Sequence, residues 1–519
     1  MQYGKRVNMA PESGNQAPPH KTRGLGIDQL WLLVILAGFG VFVSLTPLAP
    51  NDFWWHLKIG QLTYQNGAIP GTNLFSWSLP SDTPFTYGAW LGEYLLYMLY
   101  HLGKLELVIF ARTVMALIAF WLVGYEAKRR SGSWRIAALV TTPACIITIN
   151  NLVVRPQNWS WLPFMVFFIL LSRFADRQLR GRWLLALPLI MMFWVNAHGA
   201  FILGLVMIGM FFAGEALRSW MKLPWSLPIR SVGLIGATGL LTALATVVNP
   251  LFTRIFGYVL DLMTDQPSQG LIEEWQSPTP SGIANTAFFI LILIVMLVFI
   301  FSRYRPTPTE TLLIVGFLWL AWSGQRYVVW FGMVTMPILA RAIASLPVKK
   351  ISFEPQRNWL NAVLAGLLFV PVLAVQPWFV ERLPLPAAYR TMIWSDIPDG
   401  PLVDVETPVK AVEYLRANPG GKLFNEMGYG SYLIWALPEQ KAFIDPRVEL
   451  YPFEQWQDYI RISRGTRYNE LLEKYSADRI LLNAELQKEL AVQLPNDAGW
   501  RLEYKDDRAQ VWTRNAKSP

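Results

Sequence analysis

The chain has 519 residues, 53% of them hydrophobic and only 16% charged, against roughly 25% charged in an ordinary soluble protein, which argues against a soluble globular chain. Its formal charge of +9 would suit a nucleic-acid binder. However, Lys and Arg gather in short connections that alternate with connections nearly free of them, a topology signal rather than a binding stripe. Cysteine use is uninformative beyond excluding an intrachain disulfide, because Cys145 stands alone in an apolar run and reads as a small buried hydrophobe.

Residues 1–28 are polar, rich in Pro and Gly, and hold Lys5, Arg6, Lys21 and Arg23. They read as a disordered cytoplasmic tail, since the apolar run that follows is too long for the core of a cleaved signal peptide. Apolar runs such as Trp31–Leu48, Ile136–Ile149 with its flanks, Ala287–Phe301 and Leu360–Val375 approach the roughly 20 residues that span a bilayer as helix. Many of the 24 Trp residues sit at run ends, where indole favours the membrane interface.

With the N-terminus inside, helix 1 (29–48) runs outward into a long external loop, 49–104, in which Trp90–Tyr100 reads as an interfacial helix. Helix 2 (106–124) returns to Lys128-Arg129-Arg130. Helices 3 and 4 flank an outer Arg155-Pro156-Gln157 and end at Arg173, Arg177, Arg180 and Arg182. Helix 5 rises to Asn196-Ala197-His198-Gly199, and helix 6 descends to Arg218 and Lys222. Helix 7 rises to Asn249-Pro250, which opens a second external loop, 249–284. Helix 8 drops to Arg303 and Arg305, and helix 9 rises to Gln325-Arg326. Helix 10 descends to Arg341, Lys349 and Lys350, and helix 11 (358–376) exits. The expected fold is therefore an α-helical polytopic membrane protein of about eleven transmembrane helices over 29–376. It is expected in the plasma (inner) membrane with a cytoplasmic N-terminus.

Beyond Pro377 the composition turns ordinary, and 377–519 reads as a small extracytoplasmic α/β domain with a mixed sheet. Thr407-Pro408 has the N-cap, N1 pattern for a helix over Val409–Ala417. Lys422–Asn425, Lys441–Ile444, Arg479–Leu482, Trp500–Tyr504 and Ala509–Thr513 read as strands. Glu454–Ile462, Tyr468–Tyr475 and Glu485–Leu494 read as helices.

The polar residues of the outer connections carry the functional signal. They are Asp52 and His56 after helix 1, Glu93 in the interfacial helix, Arg155, His198, Asn249, Glu273-Glu274-Trp275 and Arg326. Ionisable groups at membrane depth are costly and usually line a cavity or pair with each other. Gathered at one face, they suggest a site for an anionic, membrane-held substrate. Each also has a plainer reading. Asp52 could be a solvated helix-end acid, Trp54 and Trp55 interfacial anchors, and Arg155 and Arg326 snorkelling side chains. Glu93 could pair locally, Glu273 or Glu274 could be plain loop acids, and Asp445 and Arg447 form a structural turn pair. There is no Gly-rich phosphate loop, HExxH or paired CxxC. A metal would have to rest on carboxylates with waters, in the style of Mg²⁺ or Mn²⁺.

At these residues the chain resembles the GT-C superfamily of membrane glycosyltransferases. More closely, it is similar to a bacterial branch whose first loop reads Asp-x-x-Trp-His-Leu-x-x-Gly. Here that is Asp52-Phe53-Trp54-Trp55-His56-Leu57-Lys58-Ile59-Gly60, followed by Ile69-Pro70 and Trp90-Leu91-Gly92-Glu93. Further patches are Arg155-Pro156-Gln157, Trp194-Val195-Asn196-Ala197-His198-Gly199, Asn249-Pro250 and Glu274-Trp275. In the outer domain they are Phe424-Asn425, Gly430-Ser431-Tyr432-Leu433 and Phe443-Ile444-Asp445-Pro446-Arg447.

The resemblance implies transfer of a sugar from a polyprenyl-phosphate donor to a protein, lipid or glycan acceptor at the outer leaflet, by an inverting displacement. Asp52 would serve as base or metal ligand, with His56 orienting it or the acceptor. Glu274 would assist, with Asp52, Glu273 and Glu274 as the metal-ligand candidates for Mg²⁺ or Mn²⁺. Arg155, Arg326, His198, Glu93 and Trp55 would bind substrate or phosphate. Asn51-Asp52 in place of two consecutive acids leaves the metal open. Transfer of a whole lipid-linked glycan, a transporter or flippase, and a non-enzymatic envelope scaffold are the alternatives. The partners expected are the bilayer and the lipid-linked sugar, without nucleic acid.

Overall fold

The computed structural model describes residues 25–347, 358–380 and 402–515. The expected tail residues 1–24 and the basic Lys349 and Lys350 lie outside them.

The apolar runs form a helical bundle: α1 (Ile27–Leu45), α2 (Phe53–Asn66), α3 (Trp90–Ser131), α4 (Trp134–Ile147), α5 (Trp161–Ala175), α6 (Ala186–Ala197), α7 (Ile202–Trp220) and α8 (Ile229–Ala245). There follow α9 (Arg254–Thr264), α10 (Gln266–Leu271), α11 (Gly282–Phe301), α12 (Pro308–Ser323), α13 (Val328–Ala344), α14 (Asn358–Ala374) and α15 (Pro377–Val380). Among the described residues, six helical segments are long and apolar enough to cross a membrane: Ile27–Leu45, Trp90–Ser131, Pro156–Ala175, Gly199–Trp220, Gly282–Phe301 and Gln325–Ala344. Trp134–Ile147, Gly181–Ala197, Ile229–Ala245 and Asn358–Ala374 are shorter apolar helices. With α12, a helix stands at every expected span.

Burial sorts these helices. Helix α13 is buried almost all round and forms the axis of the bundle. Helix α11 buries one narrow face through Phe288, Leu291 and Val295, while Leu293, Met296, Leu297 and Ile300 stay exposed. Such exposed apolar rows suit contact with lipid tails.

The sequence reads 49–104 as a loop with one interfacial helix, and the structure corrects this. Asp52 heads a 14-residue helix, α2, closed by left-handed Gly67 (φ 63°). The expected interfacial helix is the first part of α3, set off from the rest by non-helical backbone at Gly103 and Lys104. The second loop also carries structure, in α9, α10 and a 3₁₀ turn at Glu273–Trp275.

The C-terminal domain has a mixed four-stranded sheet: β1 (Leu423–Asn425), β2 (Arg479–Asn483), β3 (Trp500–Lys505) and β4 (Ala509–Arg514), in the order β1-β2-β4-β3. Only the β1–β2 pairing is parallel. The fully buried β2 lies inside, between Phe424 and Trp512 at the level of Ile480. The expected strand over Lys441–Ile444 is absent. Ala442 instead forms an isolated bridge to Ser76, because its backbone partners come from the first loop. Helix Val409–Ala417 starts with Pro408 at the cap position, and the Thr407 hydroxyl is buried without a partner, so the expected Thr407 cap does not form. Glu485–Leu494 is helical only over Lys488–Gln493. A helix over Met427–Ala436, not expected from the sequence, packs against α2.

The domain and the first loop share one core. Trp55, Ile59, Phe75, Phe85 and Tyr87 cluster with Phe424, Phe443, Ile480 and Trp512. Leu48 bridges Val403 in the same way that Ser76 bridges Ala442. Trp54 packs edge-on to Tyr432 at 5.0 Å and lies 6.4 Å from Trp435. Trp54 and Trp55 are therefore interior residues of a two-part core, not interfacial anchors. At its centre Arg447 and Asp445 are fully buried and paired at 2.6 Å. Arg447 also donates to the Tyr87 hydroxyl at 3.1 Å, and Tyr451 donates to Asp445 at 2.5 Å. Burial alone would lower the guanidinium's proton affinity; Asp445 outweighs it and holds Arg447 well above its ordinary value.

Removing one partner leaves the other charge buried and uncompensated, at a cost of about 3–5 kcal/mol. Asp445→Asn should lower the unfolding midpoint of the detergent-solubilised protein and speed proteolysis of the C-terminal domain. An unchanged midpoint would remove this pair from the anchor.

Candidate active site

Helix polarity brings the site together. Asp52 follows α1, Glu93 opens α3, Arg155 precedes α5 and His198 precedes α7. Asn249 follows α8, Glu274 precedes α11 and Arg326 precedes α13, so in an alternating bundle all fall at one end. The opposite ends carry the basic clusters, with Lys128–Arg130, Arg173, Arg218 and Arg341 in the last turns of α3, α5, α7 and α13. There Arg129 pairs with Glu126 and Asp176, and Arg130 with Glu126 and Glu310.

Two glycines let the site helices approach. A Cβ on Gly60 would lie 2.1 Å from the Glu93 carbonyl oxygen, and one on Gly92 would lie 2.3 Å from that of Ala197. Gly60 seats α2 against α3, and Gly92 seats α3 against the end of α6. These contacts place His56 Nδ1 2.8 Å from Glu93 Oε1. Trp90 donates to Asn196 at 2.8 Å, and Asn196 to the Val248 carbonyl at 2.7 Å. Asn249 binds the Thr246 and Phe252 carbonyls and so shapes the turn after α8.

Arg155 is the electrostatic centre. Only 4% of it is exposed. Its backbone is fixed by Asn158, whose Oδ1 accepts from Arg155 N at 3.0 Å. One guanidinium nitrogen, Nη1, pairs with Glu274 Oε2 and lies 3.5 Å from Asp52 Oδ2. Nε and Nη2 are buried without a partner. Burial works to lower the guanidinium, but Glu274 and Asp52 outweigh it and raise it above its ordinary value. Asp52 stands at the N-cap of α2 yet makes no capping hydrogen bond, so its carboxylate is not spent on the helix end. Arg326 stacks over Trp275 with its guanidinium 4.3 Å from the ring centroid. Hydrogen bonds from Gln325 to the Gln276 and Glu273 carbonyls tie this turn to the second loop.

The two histidines present opposite faces. Burial lowers His56 below its ordinary value, Glu93 offsets part of this and Arg155 adds to it. An ionised Glu93 can only accept, so the shared proton then sits on His56 Nδ1 and Nε2 keeps its lone pair. His198 Nδ1 accepts from Ala200 N at 3.1 Å, so the neutral ring carries its proton on Nε2. Burial, followed by Arg326, Arg155 and His56, holds His198 well below its ordinary value.

The structure thus brings Asp52, His56, Glu93, Arg155, His198, Glu274 and Arg326 into one electrostatic neighbourhood. It sets Glu273 apart, while the Trp55 ring lies against that of His56 with centroids 3.6 Å apart. Glu273 is exposed, because a 3₁₀ step separates its side chain from that of Glu274. Trp55 is buried in the core shared with the C-terminal domain. No group of three His, Cys, Asp or Glu side chains able to hold a metal ion occurs among the described residues. Asp52 and Glu274 converge on a guanidinium, so the residues present do not fit a protein-built cage for Mg²⁺ or Mn²⁺.

Sequence reasoning missed Glu449, in a 3₁₀ turn (Val448–Leu450) of the C-terminal domain that packs on α10. Its side chain is exposed and stands near Asp265 and Asp52. Desolvation, with Asp265 and Asp52 nearby, raises it to about 7. Only its place next to Arg447 could have pointed to it. Tyr258 of α9 was missed as well; it abuts Gly88 and feels Glu449, Glu93 and Arg326.

No protein-family model matches the chain, and no curated protein does. Among solved structures it is similar to the apo oligosaccharyltransferase of Archaeoglobus fulgidus, at 13% identity and a TM-score of 0.48, covering 94% of this chain and 74% of that one. The same enzyme tethered to an acceptor peptide with the NVT sequon gives 12% identity and a TM-score of 0.47 over the same shares. ArnT from Cupriavidus metallidurans bound to undecaprenyl phosphate gives 13% identity and a TM-score of 0.42, covering 94% of this chain and 98% of that one.

Two measurements probe this geometry. Gly60→Ala forces a Cβ into the α2–α3 contact and should cost about 1–3 kcal/mol, read as a lower unfolding midpoint in detergent; an unchanged midpoint would deny the close approach. Glu449 retains its proton in the native state up to about 7, whereas an unfolded glutamate has lost it by about 4.3. The native state therefore binds more protons between these values, and stability should fall as pH rises through that window. Glu449→Gln should flatten that part of the stability-against-pH curve.

Proposed function

We propose that the chain is a membrane glycosyltransferase that moves a sugar from a polyprenyl-phosphate donor to an acceptor hydroxyl, or an amide nitrogen, on the extracytoplasmic face. One observation carries the reading. Two arginines, one of them buried with unspent donors, meet an uncapped carboxylate at one end of an apolar helix bundle. A lipid phosphate would bring its tail along the apolar helices and its charge to the arginines.

The chemistry follows from the donors and acceptors present. A sugar phosphate departs more readily when fixed cations receive the developing charge. Arg155 Nε and Nη2, Arg326 and His198 Nε2–H are the available donors. Asp52 takes the acceptor proton as the acceptor attacks the anomeric carbon and the C–O bond to phosphate breaks. Direct displacement inverts that carbon. His56, oriented by Glu93, offers Nε2 to the acceptor or to Asp52. Glu274 holds Arg155 in place, and Glu449 of the outer domain stands near Asp52. In this reading the outer domain and the site end of the bundle are extracytoplasmic, the N-terminus is cytoplasmic, and the membrane is the plasma (inner) membrane.

Transfer of a whole lipid-linked glycan uses the same site with a larger donor. A translocation path would instead place ionisable groups near the bilayer midplane. Here the ion pairs gather at the two helix ends.

The test is turnover of a panel of radiolabelled polyprenyl-phosphate sugars and lipid-linked oligosaccharides by purified protein. Asp52→Asn should lose on the order of 10²–10⁴-fold in transfer with donor binding retained, while Arg326→Ala should weaken donor binding. Full activity of Asp52→Asn would remove it as base, and no turnover of any donor would favour a transporter or scaffold.

A further inference from the structure

We infer that Arg155 is a built-in cation standing where a divalent metal would otherwise bridge Asp52 and Glu274, so that the site works without one. The mechanistic consequence rests on the transferase reading; the metal-binding consequence does not.

Two carboxylates from distant segments, Asp52 at the head of α2 and Glu274 in the second loop, converge on a single guanidinium nitrogen. Carboxylates brought this close repel unless a cation lies between them. A hard divalent ion can meet that need with one or two carboxylates and water completing its shell, provided the position between the acids is free. Arg155 already occupies the shared position. It is held there by backbone capping from Asn158 and by the rigid start of the Pro156–Ser160 turn.

Nor is Arg155 exhausted by these acids. A buried guanidinium can spend both terminal nitrogens on carbonyls, as Arg112 does with Leu152, Val43 and Thr46 while only its Nε is left unpartnered. Arg155 Nε and Nη2 have no acceptor, and buried donors are seldom left so without a reason. The unspent edge suits a phosphoryl oxygen pair, which a guanidinium binds in bidentate fashion. One residue thus keeps two acids together and offers its remaining edge to the leaving phosphate. A bridging metal would otherwise combine those two tasks.

The experiment is Mn²⁺ binding by EPR to the chelator-treated full-length protein, beside Arg155→Ala, Arg155→Gln and Arg155→Ala/Asp52→Asn. Size exclusion and unfolding midpoint confirm that each variant is folded, and the neutral, hydrogen-bonding Gln variant serves if Ala does not fold. Wild type should show no specific Mn²⁺. Removing the guanidinium should create a site for about one Mn²⁺ per chain, and the double variant should lose it. Specific Mn²⁺ on wild type, abolished by Asp52→Asn or Glu274→Gln, overturns the inference. Equal absence of Mn²⁺ from wild type and both Arg155 variants overturns it as well. If a donor is turned over, EDTA should leave wild-type turnover unchanged. If none is, the binding result still decides the role of Arg155, independently of the transferase reading.

Discussion

Arg155 sets the constraint from which the site is organised: a permanent charge, almost wholly buried, that cannot be neutralised by losing its proton. It must be paired, and its partners come from a short helix and a loop far apart in sequence, Asp52 and Glu274. Pairing them fixes the mouth of the bundle. The start of α2, the start of α5 and the second loop must stay in register, and Gln325 ties the turn carrying Arg326 to that same loop. At the basic end Arg129 and Arg130 are each paired with acids, whereas at the other end Arg155 keeps two nitrogens unspent.

The C-terminal region serves that arrangement. Its helix Met427–Ala436 grips α2 through Ser431, which accepts from Trp55 N at 3.2 Å, and through Tyr432 and Trp435 against Trp54. The Asp445–Arg447 pair locks the first loop from the other side. Asp52 and His56 are thus aimed by the domain that packs behind them, with Gly60 setting their approach to Glu93. A short helix at a bilayer surface would otherwise have little to hold its orientation.

Much of this was legible in the sequence, for physical reasons that also explain the misses. Arg155, Arg326 and His198 stood out because an ionisable residue in an otherwise apolar outer turn is costly and needs a purpose. Trp54 and Trp55 misled because a tryptophan after an apolar run satisfies the interface rule as well as the core rule. Only the covering domain decides between them. Glu273 and Glu274 are indistinguishable in sequence, yet one turn of 3₁₀ helix sends one to solvent and the other to Arg155. Lys441–Ile444 has strand composition, but Ala442 pairs with Ser76 of the distant first loop, and local pattern carries no information about such pairing. Glu449 was invisible for the same reason, since its meaning depends on Asp265 and Asp52, which the fold brings near it.

In the proposed transfer, pairing and catalysis would make different demands on the same acids. If Arg155 were satisfied entirely by Asp52 and Glu274, it would have nothing left for a substrate, and Asp52 would be too well paired to take a proton. The geometry is unequal. Glu274 makes the close contact, Asp52 lies at 3.5 Å, and the carboxylate of Asp52 is left uncapped by its own helix. Glu274 therefore makes the closer hold on the cation, which in the proposed transfer leaves Asp52 near enough to feel it and loose enough to act. An anion arriving at the free edge of Arg155 would draw further on the same positive charge and weaken its hold on Asp52. In the proposed transfer, substrate binding and readiness of the base would then be coupled through one guanidinium, with no moving part required.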